Sequence, residues 1–414
     1  MNSDVTRRDF LRSAAATGAG LVLTRAALAQ EAAPKPADLN VAVIGTGSQG
    51  RILMDACLKI PGIRFKAVCD IWPYSQKYAS GILKAYNQEA NVYEDYRDML
   101  AKEKDLQAVV IATPDFVHAE QTIACLKAGI HVYCEKEMSN DLAQAKQMVL
   151  TARQAGKQLQ IGHQRRSNPR YWHSKRLIEK DKMLGRITQC YGQWNRSKDQ
   201  SQDLGWPKKY EMDKALLNKY GYESMEQFRN WRWFRKFSGG AIADLGSHQI
   251  DIFNWFLGVS PKSVIASGGL DYYQNREWYD TVMAIYEYAT PAGTVRGFYQ
   301  VLNTTSFGGF YETFMGDEGS LTLSEDVTIG YLVREVEARK REWEDDAEKV
   351  SKMGKAAIQL KIGETRKKTG QADPKALKMA EDVQKPVHQP HLENFFEAIR
   401  TGAPLTCPGE VAYE

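Results

Sequence analysis

The chain has 414 residues, of which 43% are hydrophobic and 26% charged, and its formal net charge is +4. These values are ordinary for a globular protein of two domains, and so small a charge gives no support to nucleic-acid binding. The six cysteines include no C-x-x-C pair, which excludes the common zinc and redox motifs, so we expect buried free thiols. We predict no metal site, because the histidines outside the motifs below lack ligand spacing: His173, His388 and His391.

The first 29 residues have the features of an export signal. Arg7 and Arg8 lie in a basic start, an apolar run follows over 14–23, and residues 27–29 have the small-x-small pattern of a cleavage site. The stretch TRRDFLR closely resembles a twin-arginine (Tat) signal. We therefore expect the Tat translocon to export the protein, to the periplasm or beyond, with residues 1–29 removed; the alternative is a basic tail. No later run is apolar enough to predict a membrane span.

Short apolar runs and helix-length stretches alternate from residue 38 to residue 162. Such alternation predicts a parallel, doubly wound sheet, which is a Rossmann domain of the α/β class. The predicted strands are 39–44, 63–70, 108–113, 131–135 and 159–162. The predicted helices are 50–59, 74–86, 95–101, 119–128 and 142–155.

A second domain of the α+β type is predicted for residues 163–414. Its strands follow one another without helices between them, a pattern that favours an open, mainly antiparallel sheet: 263–269, 281–288, 293–302 and 311–315. The highly charged stretch 334–385 is interpreted as a helical surface insertion. An amphipathic helix is expected over 391–400, and the chain stops at Glu414 in what resembles a helix start, a pattern typical of a truncated chain.

A G-x-G-x-x-G motif, formed by Gly45, Gly47 and Gly50, lies between the first predicted strand and the first predicted helix. Asp70 ends the second strand 20 positions after Gly50, where a carboxylate can accept from a ribose 2′-hydroxyl. The motif therefore predicts NAD, with NADP disfavoured; a flavin or mononucleotide is the alternative. Other residues at strand ends are predicted to line the same cofactor site: Ser48, Gln49, Thr113, Pro114, His118, Glu135, Lys136 and Gln164.

The stretches GTGSQG, ATPDFVH, CEKE and DLGSHQID, with GDEGSL at 316–321 and FFEAIRTGAP at 395–404, resemble the Gfo/Idh/MocA family of sugar and cyclitol oxidoreductases. The resemblance covers most of the chain after the export signal. It implies a carbohydrate substrate and a homo-oligomer, a dimer or tetramer joined through the open sheet. In one departure, Glu137 stands where the family usually has proline.

The stretch around DLGSHQID is predicted to carry the chemistry. Asp244 and His248 are one helical turn apart, and His248 is the candidate acid–base for a hydroxyl proton. Asp244 could orient the imidazole or hold a substrate hydroxyl, and Lys136 could stabilise alkoxide charge. The resemblance assigns catalysis to these same three residues. The alternative is that His248 satisfies a buried polar cluster with Asp251.

Arginine and tryptophan side chains in the second domain are candidates for substrate contact, although they equally suit a core between domains. These residues are Arg165, Arg166, Trp231, Arg232 and Asp251. Because an exported enzyme has no nucleotide pool, we expect tightly bound NAD that returns to its starting state in a redox-neutral cycle. The alternatives are an NAD-dependent glycoside hydrolase acting through a 3-keto sugar, a net sugar dehydrogenase, and a non-catalytic sugar- or partner-binding relic.

Overall fold

The first sheet has six parallel strands in the order β3-β2-β1-β4-β5-β6, which confirms the Rossmann prediction. The computed structural model describes residues 37–198, 204–345, 347–352, 354–360 and 384–414; the predicted export signal 1–29 lies outside these ranges. The strands are β1 Leu39–Ile44, β2 Ile63–Cys69, β3 Asn91–Tyr93, β4 Ala108–Ile111, β5 His131–Cys134 and β6 Leu159–Ile161. The helices around them are α1 Ser48–Leu58, α2 Pro73–Ala85, α3 Tyr96–Lys102, α4 Asp115–Lys127 and α5 Leu142–Ala155.

The register of this sheet brings the carboxyl ends of its central strands to one edge. Ile44 pairs with Cys69 on one side and Ile111 on the other, and the same row continues through Cys134 to Ile161. The residues that follow these strands therefore meet at this edge. Open parallel sheets bind their ligands there, because the helices that follow the strands begin at the same edge.

The second sheet has nine strands in the order β14-β15-β13-β12-β11-β7-β10-β9-β8. Strands β7 and β10 pair in parallel, and the other described pairs are antiparallel, which confirms an open, mainly antiparallel sheet. The strands are β7 Ile187–Asn195, β8 Ser263–Gly269, β9 Thr281–Thr290, β10 Gly293–Leu302, β11 Phe310–Gly316, β12 Gly319–Leu323, β13 Gly330–Arg334, β14 Lys349–Lys352 and β15 Lys355–Gln359.

The remaining helices lie on the second sheet, on the first domain or between the two. They are α6 Pro169–Glu179, α7 Lys214–Lys219, α8 Met225–Arg229, α9 Ser247–Leu257, α10 Gln389–Thr401 and α11 Gly409–Tyr413. Short 3₁₀ helices span Gln164–Ser167, Lys208–Tyr210, Trp231–Trp233 and Glu342–Glu344, and a π-helical turn spans Ile242–Gly246. None of the helices described is both long and apolar enough to cross a bilayer.

Two sequence interpretations of this domain need correction. Strand β7 lies in the middle of the second sheet, although the sequence patterns predict no strand there. In the charged stretch 334–385, β14 and β15 extend the sheet where a helical insertion was expected, and the short 3₁₀ helix Glu342–Glu344 precedes them; residues 361–383 lie outside the described ranges. Alternating polar and apolar residues on an edge strand resemble a solvated helix face when apolar spacing is sparse.

The core of the second domain forms where α9 packs on the sheet, with Phe253 and Phe256 against Phe314. Helix α10, near the end of the chain, instead returns to the first sheet. Its residues Phe395 and Phe396 are fully buried in the core that β1 and α1 build. The chain thus leaves the first sheet at residue 162 and returns to it with α10. All six cysteines are buried free thiols.

Candidate active site

One cleft of about 730 Å³ runs along the carboxyl edge of the first sheet and is lined from both domains. This volume is within the range of small-molecule and cofactor sites. The glycine loop and Asp70 line it, and so do Lys136, Asp244 and His248. The predicted nucleotide site and the predicted chemical site are therefore parts of one cavity.

The glycine loop after β1 has the shape that a dinucleotide needs. Gly45 has φ +87°, and a Cβ there would lie 2.7 Å from the Ala112 carbonyl. A Cβ at Gly50 would lie 1.9 Å from the Gly45 carbonyl oxygen, so only glycine allows α1 to start this close to the loop. A Cβ at Gly47 would meet nothing within 4 Å. Gly47 thus leaves open space above free helix N–H groups, as a pyrophosphate requires.

Asp70 lies at the end of β2 with its carboxylate fixed by the backbone. Its Oδ2 accepts from the Thr46 N–H at 2.7 Å and its Oδ1 from the Trp72 N–H at 2.8 Å. Burial raises the pKa of Asp70, while these N–H donors favour its ionised form. Carboxylate oxygens accept more than one hydrogen bond each, so the fixed group can still receive the ribose hydroxyl.

Most of the other predicted cofactor residues also line the cleft: Ser48, Gln49, Thr113, Pro114, Glu135, Lys136 and Gln164. Two of them are held by carboxylates, because Gln49 donates to Glu135 Oε1 at 3.0 Å and Gln164 donates to Glu325 Oε1 at 3.0 Å. These residues fit a dinucleotide laid along the sheet edge.

His118 is the member of that set whose side chain does not face the cleft. It is 1% exposed and does not line the cleft. Its ring nitrogens face the carbonyl oxygens of Thr113 at 2.7 Å and Glu137 at 2.5 Å. His118 therefore ties the loop after β4 to the loop after β5, and it positions Lys136 without contacting the cleft. Its place at a strand end was right, but its side chain points into the protein.

Lys136 and Asp244 form the centre of the chemical site. Lys136 Nζ lies 3.0 Å from Asp244 Oδ1 and also donates to the Asp244 carbonyl. Arg232 donates to the same Oδ1 at 3.1 Å, and Arg196 lies 4.0 Å from Oδ2. Burial alone would raise the pKa of Asp244, but these three cations outweigh it and hold the pKa far below its usual value. The carboxylate of Asp244 is thus ionised. Burial lowers the pKa of Lys136, but the charge of Asp244 outweighs burial and raises it, so Lys136 stays protonated.

His248 is buried next to this cluster, at the start of α9. Its ring lies 5.4 Å from the Trp194 ring, centroid to centroid, and its Nδ1 has no hydrogen-bond partner among the described residues. Burial, helped by the charge of Lys136, holds the pKa of His248 well below its usual range. The imidazole is therefore neutral near pH 7 and able to accept a proton.

Asp244 and His248 do not lie one turn apart on a regular α-helix, although their spacing predicts this. Instead, a π turn spans Ile242–Gly246 and ends before α9 begins. The extra residue in that turn rotates Asp244 relative to α9, and its carboxylate bonds to Lys136 and Arg232. Asp244 could have oriented the imidazole of His248 or held a substrate hydroxyl. Its observed contacts are with Lys136 and Arg232, and they give no support to the first role.

Glu137, in the position of the family's proline, adds a carboxyl group behind Lys136. The Lys136–Glu137 peptide bond is cis. Glu137 Oε1 lies 3.9 Å from Lys136 Nζ. Burial raises the pKa of Glu137 to about 7, although the charge of Lys136 opposes this. Burial and the charge of Glu137 also raise the pKa of Asp115, which lines the cleft nearby.

The predicted substrate residues divide into two groups. Trp231 and Arg232 line the cleft. Arg165, Arg166 and Asp251 do not line it. Arg166 donates to both oxygens of Asp251, which also excludes Asp251 as the partner of His248. Arg165 is 1% exposed and pairs with Glu312 and Glu325, so its charge is neutralised inside the second domain.

Sequence reasoning missed several residues that line the cleft: Asp115, Trp194, Arg196, Arg229, Asn230 and Glu325. Trp194 and Arg196 lie at the end of β7, and they would have been found had that strand been recognised. In the part of the chain that the structure describes, no group of His, Cys, Asp and Glu is arranged to hold a metal ion.

Comparison with known proteins follows this division into two domains. Residues 39–163 match the model of an oxidoreductase family with an NAD-binding Rossmann fold, and residues 175–414 match its C-terminal alpha/beta domain. Among curated relatives, an inositol 2-dehydrogenase of Rhodococcus erythropolis is 38% identical over 34% of this chain and 40% of its own length. A 2,7-anhydro-N-acetylneuraminate hydratase of Mediterraneibacter gnavus is 25% identical over 56% of this chain and 52% of its own length. The matches thus span about half of these relatives or less.

Solved structures share the fold over nearly the whole chain. A levoglucosan dehydrogenase in complex with NADH and L-sorbose has a TM-score of 0.67 at 19% identity, covering 91% of this chain and 93% of the other. The WlbA dehydrogenase of Bordetella pertussis, in complex with NADH and UDP-GlcNAcA, has a TM-score of 0.62 at 21% identity, covering 91% and 92%. With both domain models matched and the cleft between them built for a dinucleotide, the chain belongs to the Gfo/Idh/MocA family of NAD-dependent oxidoreductases.

Proposed function

We propose that this protein oxidises a secondary hydroxyl of a sugar, cyclitol or glycoside with tightly bound NAD, in a cycle with no net redox change. One observation carries the proposal. Lys136, Asp244 and His248 line the same cleft as the glycine loop and Asp70. A proton acceptor, a fixed cation and a dinucleotide site in one cavity are the parts that hydride transfer from an alcohol requires.

His248 takes the hydroxyl proton in this mechanism. Its imidazole is neutral because burial lowers its pKa, and the residue lines the cleft. The electron pair of the C–H bond leaves as hydride while the O–H electrons form the carbonyl. Bound NAD would supply the acceptor for that hydride and return it later. His248, protonated in the first half, can then give its proton back to the alkoxide.

Lys136 serves as a cation and not as a base, because Asp244 keeps it protonated. Arg196 and Arg232 flank the same carboxylate, so three cations surround one anion. The excess positive charge stabilises an oxygen that becomes negative during the reaction. Asp244 fixes the geometry of the three cations, which would otherwise repel one another.

A polyol suits the cleft around these charges. Trp194, Trp231, Asn230 and Arg232 present aromatic faces and hydrogen-bond donors to it. Aromatic faces pack on the C–H face of a sugar ring, while guanidinium and amide groups bind its hydroxyls. The names of the relatives, an inositol dehydrogenase and a levoglucosan dehydrogenase, support the same substrate class.

The redox-neutral cycle is supported by two observations. The first is the Tat-like signal, which favours export. The Tat route would carry the folded protein to a place without free nucleotide. A hydratase is also among the relatives, and hydration of a substrate involves no net oxidation. Cleavage of a glycoside through a 3-keto sugar would be one such cycle, and net dehydrogenation is the competing proposal.

The test uses the full chain purified without added nucleotide. Denaturation followed by mass spectrometry should release near-stoichiometric NAD. Incubation with a panel of glycosides should then release free sugar while absorbance at 340 nm stays flat. NADH accumulating with a single sugar would replace the cycle by net dehydrogenation, and an inert protein would favour the relic.

The exposed face of the second sheet favours a homo-oligomer. Ile265 is 71% exposed, and Ile285, its partner on β9, is 41% exposed, as is Met283. Adjacent exposed apolar side chains of this kind are typical of subunit contacts. Light scattering is expected to give a dimer or tetramer, and Ile285→Lys to shift it toward the monomer; a monomeric wild type would contradict this.

A further inference from the structure

Residues 204–237 form a compact layer, named here the cover, that the second domain places over the nucleotide end of the cleft. Its own apolar core includes Met212, Leu217, Tyr222, Met225 and Phe237. Trp72, which follows Asp70 on the first domain, belongs to the same core and is 2% exposed. The cover and the cofactor-binding domain thus share one apolar core.

The seam between the cover and the first domain combines aromatic and polar contacts. The Trp72 indole N–H donates to the Tyr210 carbonyl at 2.6 Å, and the rings of Tyr74 and Tyr210 lie 5.1 Å apart. Farther along, the ring centroids of Phe116 and Phe237 are 4.9 Å apart. At the rim, Lys219 donates to Glu94 at 2.7 Å. The cover and the first domain therefore touch at several points along the seam.

Residues on both sides of the seam line the cleft. Tyr222, Phe228 and Arg229 line it from the cover, and Asp70 and Trp72 line it from the first domain. A molecule bound against Asp70 consequently lies beneath the cover. Opening of the seam would therefore uncover such a molecule.

Arg229 gives the cover a charge that complements a dinucleotide. Its guanidinium lies 4.9 Å over the Trp72 ring, and Nε donates to the Gly205 carbonyl at 3.2 Å. Burial and then the charge of Arg51 lower the pKa of Arg229. The charge of Asp70 opposes this shift, and Asp70 and Arg229 both line the cleft, where the guanidinium of Arg229 can contact an anionic group of a dinucleotide.

We infer that the cover makes the dinucleotide a resident cofactor, which exchanges only when the seam between Trp72, Tyr74 and Tyr210 opens. The inference rests on the proposed function in assigning NAD to the cleft. Beyond that function, the inference identifies the segment that retains the cofactor. Retention by the cover depends neither on the substrate nor on turnover.

The test measures exchange of bound NAD for isotope-labelled NAD, followed by mass spectrometry of the full-length holoenzyme. Tyr74→Ala and Tyr210→Ala remove the two sides of one ring contact, and neither residue lines the cleft. Each is expected to speed exchange on the order of tenfold, as loss of one packed aromatic contact would. The double variant should be slower than the product of the two effects, because they share the contact.

Lys208→Ala is the matched control, since Lys208 lies in the cover, is 81% exposed and pairs with Glu211 inside it. It should exchange like the wild type. Wild-type exchange within seconds, or seam variants that exchange at the wild-type rate, would overturn the inference. Thermal unfolding of each variant separates seam opening from loss of fold. Slow exchange in a protein without turnover would leave the cover intact and reject only the proposed function.

Discussion

The two ends of the cleft are built in different ways. The nucleotide end comes from one short β-α-β segment, in which Gly45, Gly47, Gly50 and Asp70 are set by backbone geometry. The chemical end joins residues from distant parts of the chain: Lys136, Arg196, Arg232, Asp244 and His248. A local motif thus positions the cofactor, while the packing of two domains positions the charges. Changes at the first end should alter binding and folding, and changes at the second should alter turnover.

The largest effect is expected from His248→Ala. Removing the proton acceptor should lower kcat by about a hundredfold to ten-thousandfold. NAD content, measured by mass spectrometry, should stay at the wild-type level because His248 is at the chemical end. His173→Ala provides a control histidine outside the cleft. Full turnover in the His248 variant would reject its role as base.

A pair of glycine variants tests the nucleotide end. Gly50→Ala should lower the midpoint of thermal unfolding and abolish NAD binding, because its Cβ would lie 1.9 Å from a backbone oxygen. Gly47→Ala should fold normally, since its Cβ meets nothing within 4 Å, but bind NAD on the order of tenfold more weakly. Calorimetry and NAD titration of both variants measure the difference. Equal stability of the two would contradict the close approach of α1 to the loop.

The smallest effect concerns Glu137 and pH. Its pKa is raised from 4.5 to about 7, so the folded protein holds a proton that the unfolded chain releases between these values. Stability due to this group therefore falls as pH rises through that window, and it stays low above pH 7. The groups that act on it are Lys136, Asp244, Glu135 and Asp115.

Glu137→Gln should accordingly gain stability relative to the wild type at pH 8 but not at pH 4.5, as measured by urea unfolding. Glu89→Gln, at an exposed carboxylate, is the control. A difference that does not change with pH would show that Glu137 does not titrate in this window.

Much of this molecule follows from local patterns. The spacing of Gly45, Gly47, Gly50 and Asp70, with apolar strands alternating with helices, predicted the Rossmann domain and its dinucleotide, because those features act within one continuous segment. The family resemblance also selected Lys136, Asp244 and His248, and all three line the cleft. The direction of a side chain at a strand end was harder to predict. His118 turns inward to two carbonyl groups although its neighbours face the cleft.

Only the tertiary structure decided which charges meet. Arg166 pairs with Asp251 and Arg165 with Glu312, so these candidates for substrate binding are neutralised within the protein. The sequence by itself determined the first sheet, the antiparallel character of the second and the cofactor motif, since hydrophobic periodicity and glycine geometry are local properties. The contact of Asp244 with Lys136, Arg196 and Arg232, and the cover over Trp72, depend on segments far apart in the chain. Their interaction depends on distance in space, which no local pattern specifies.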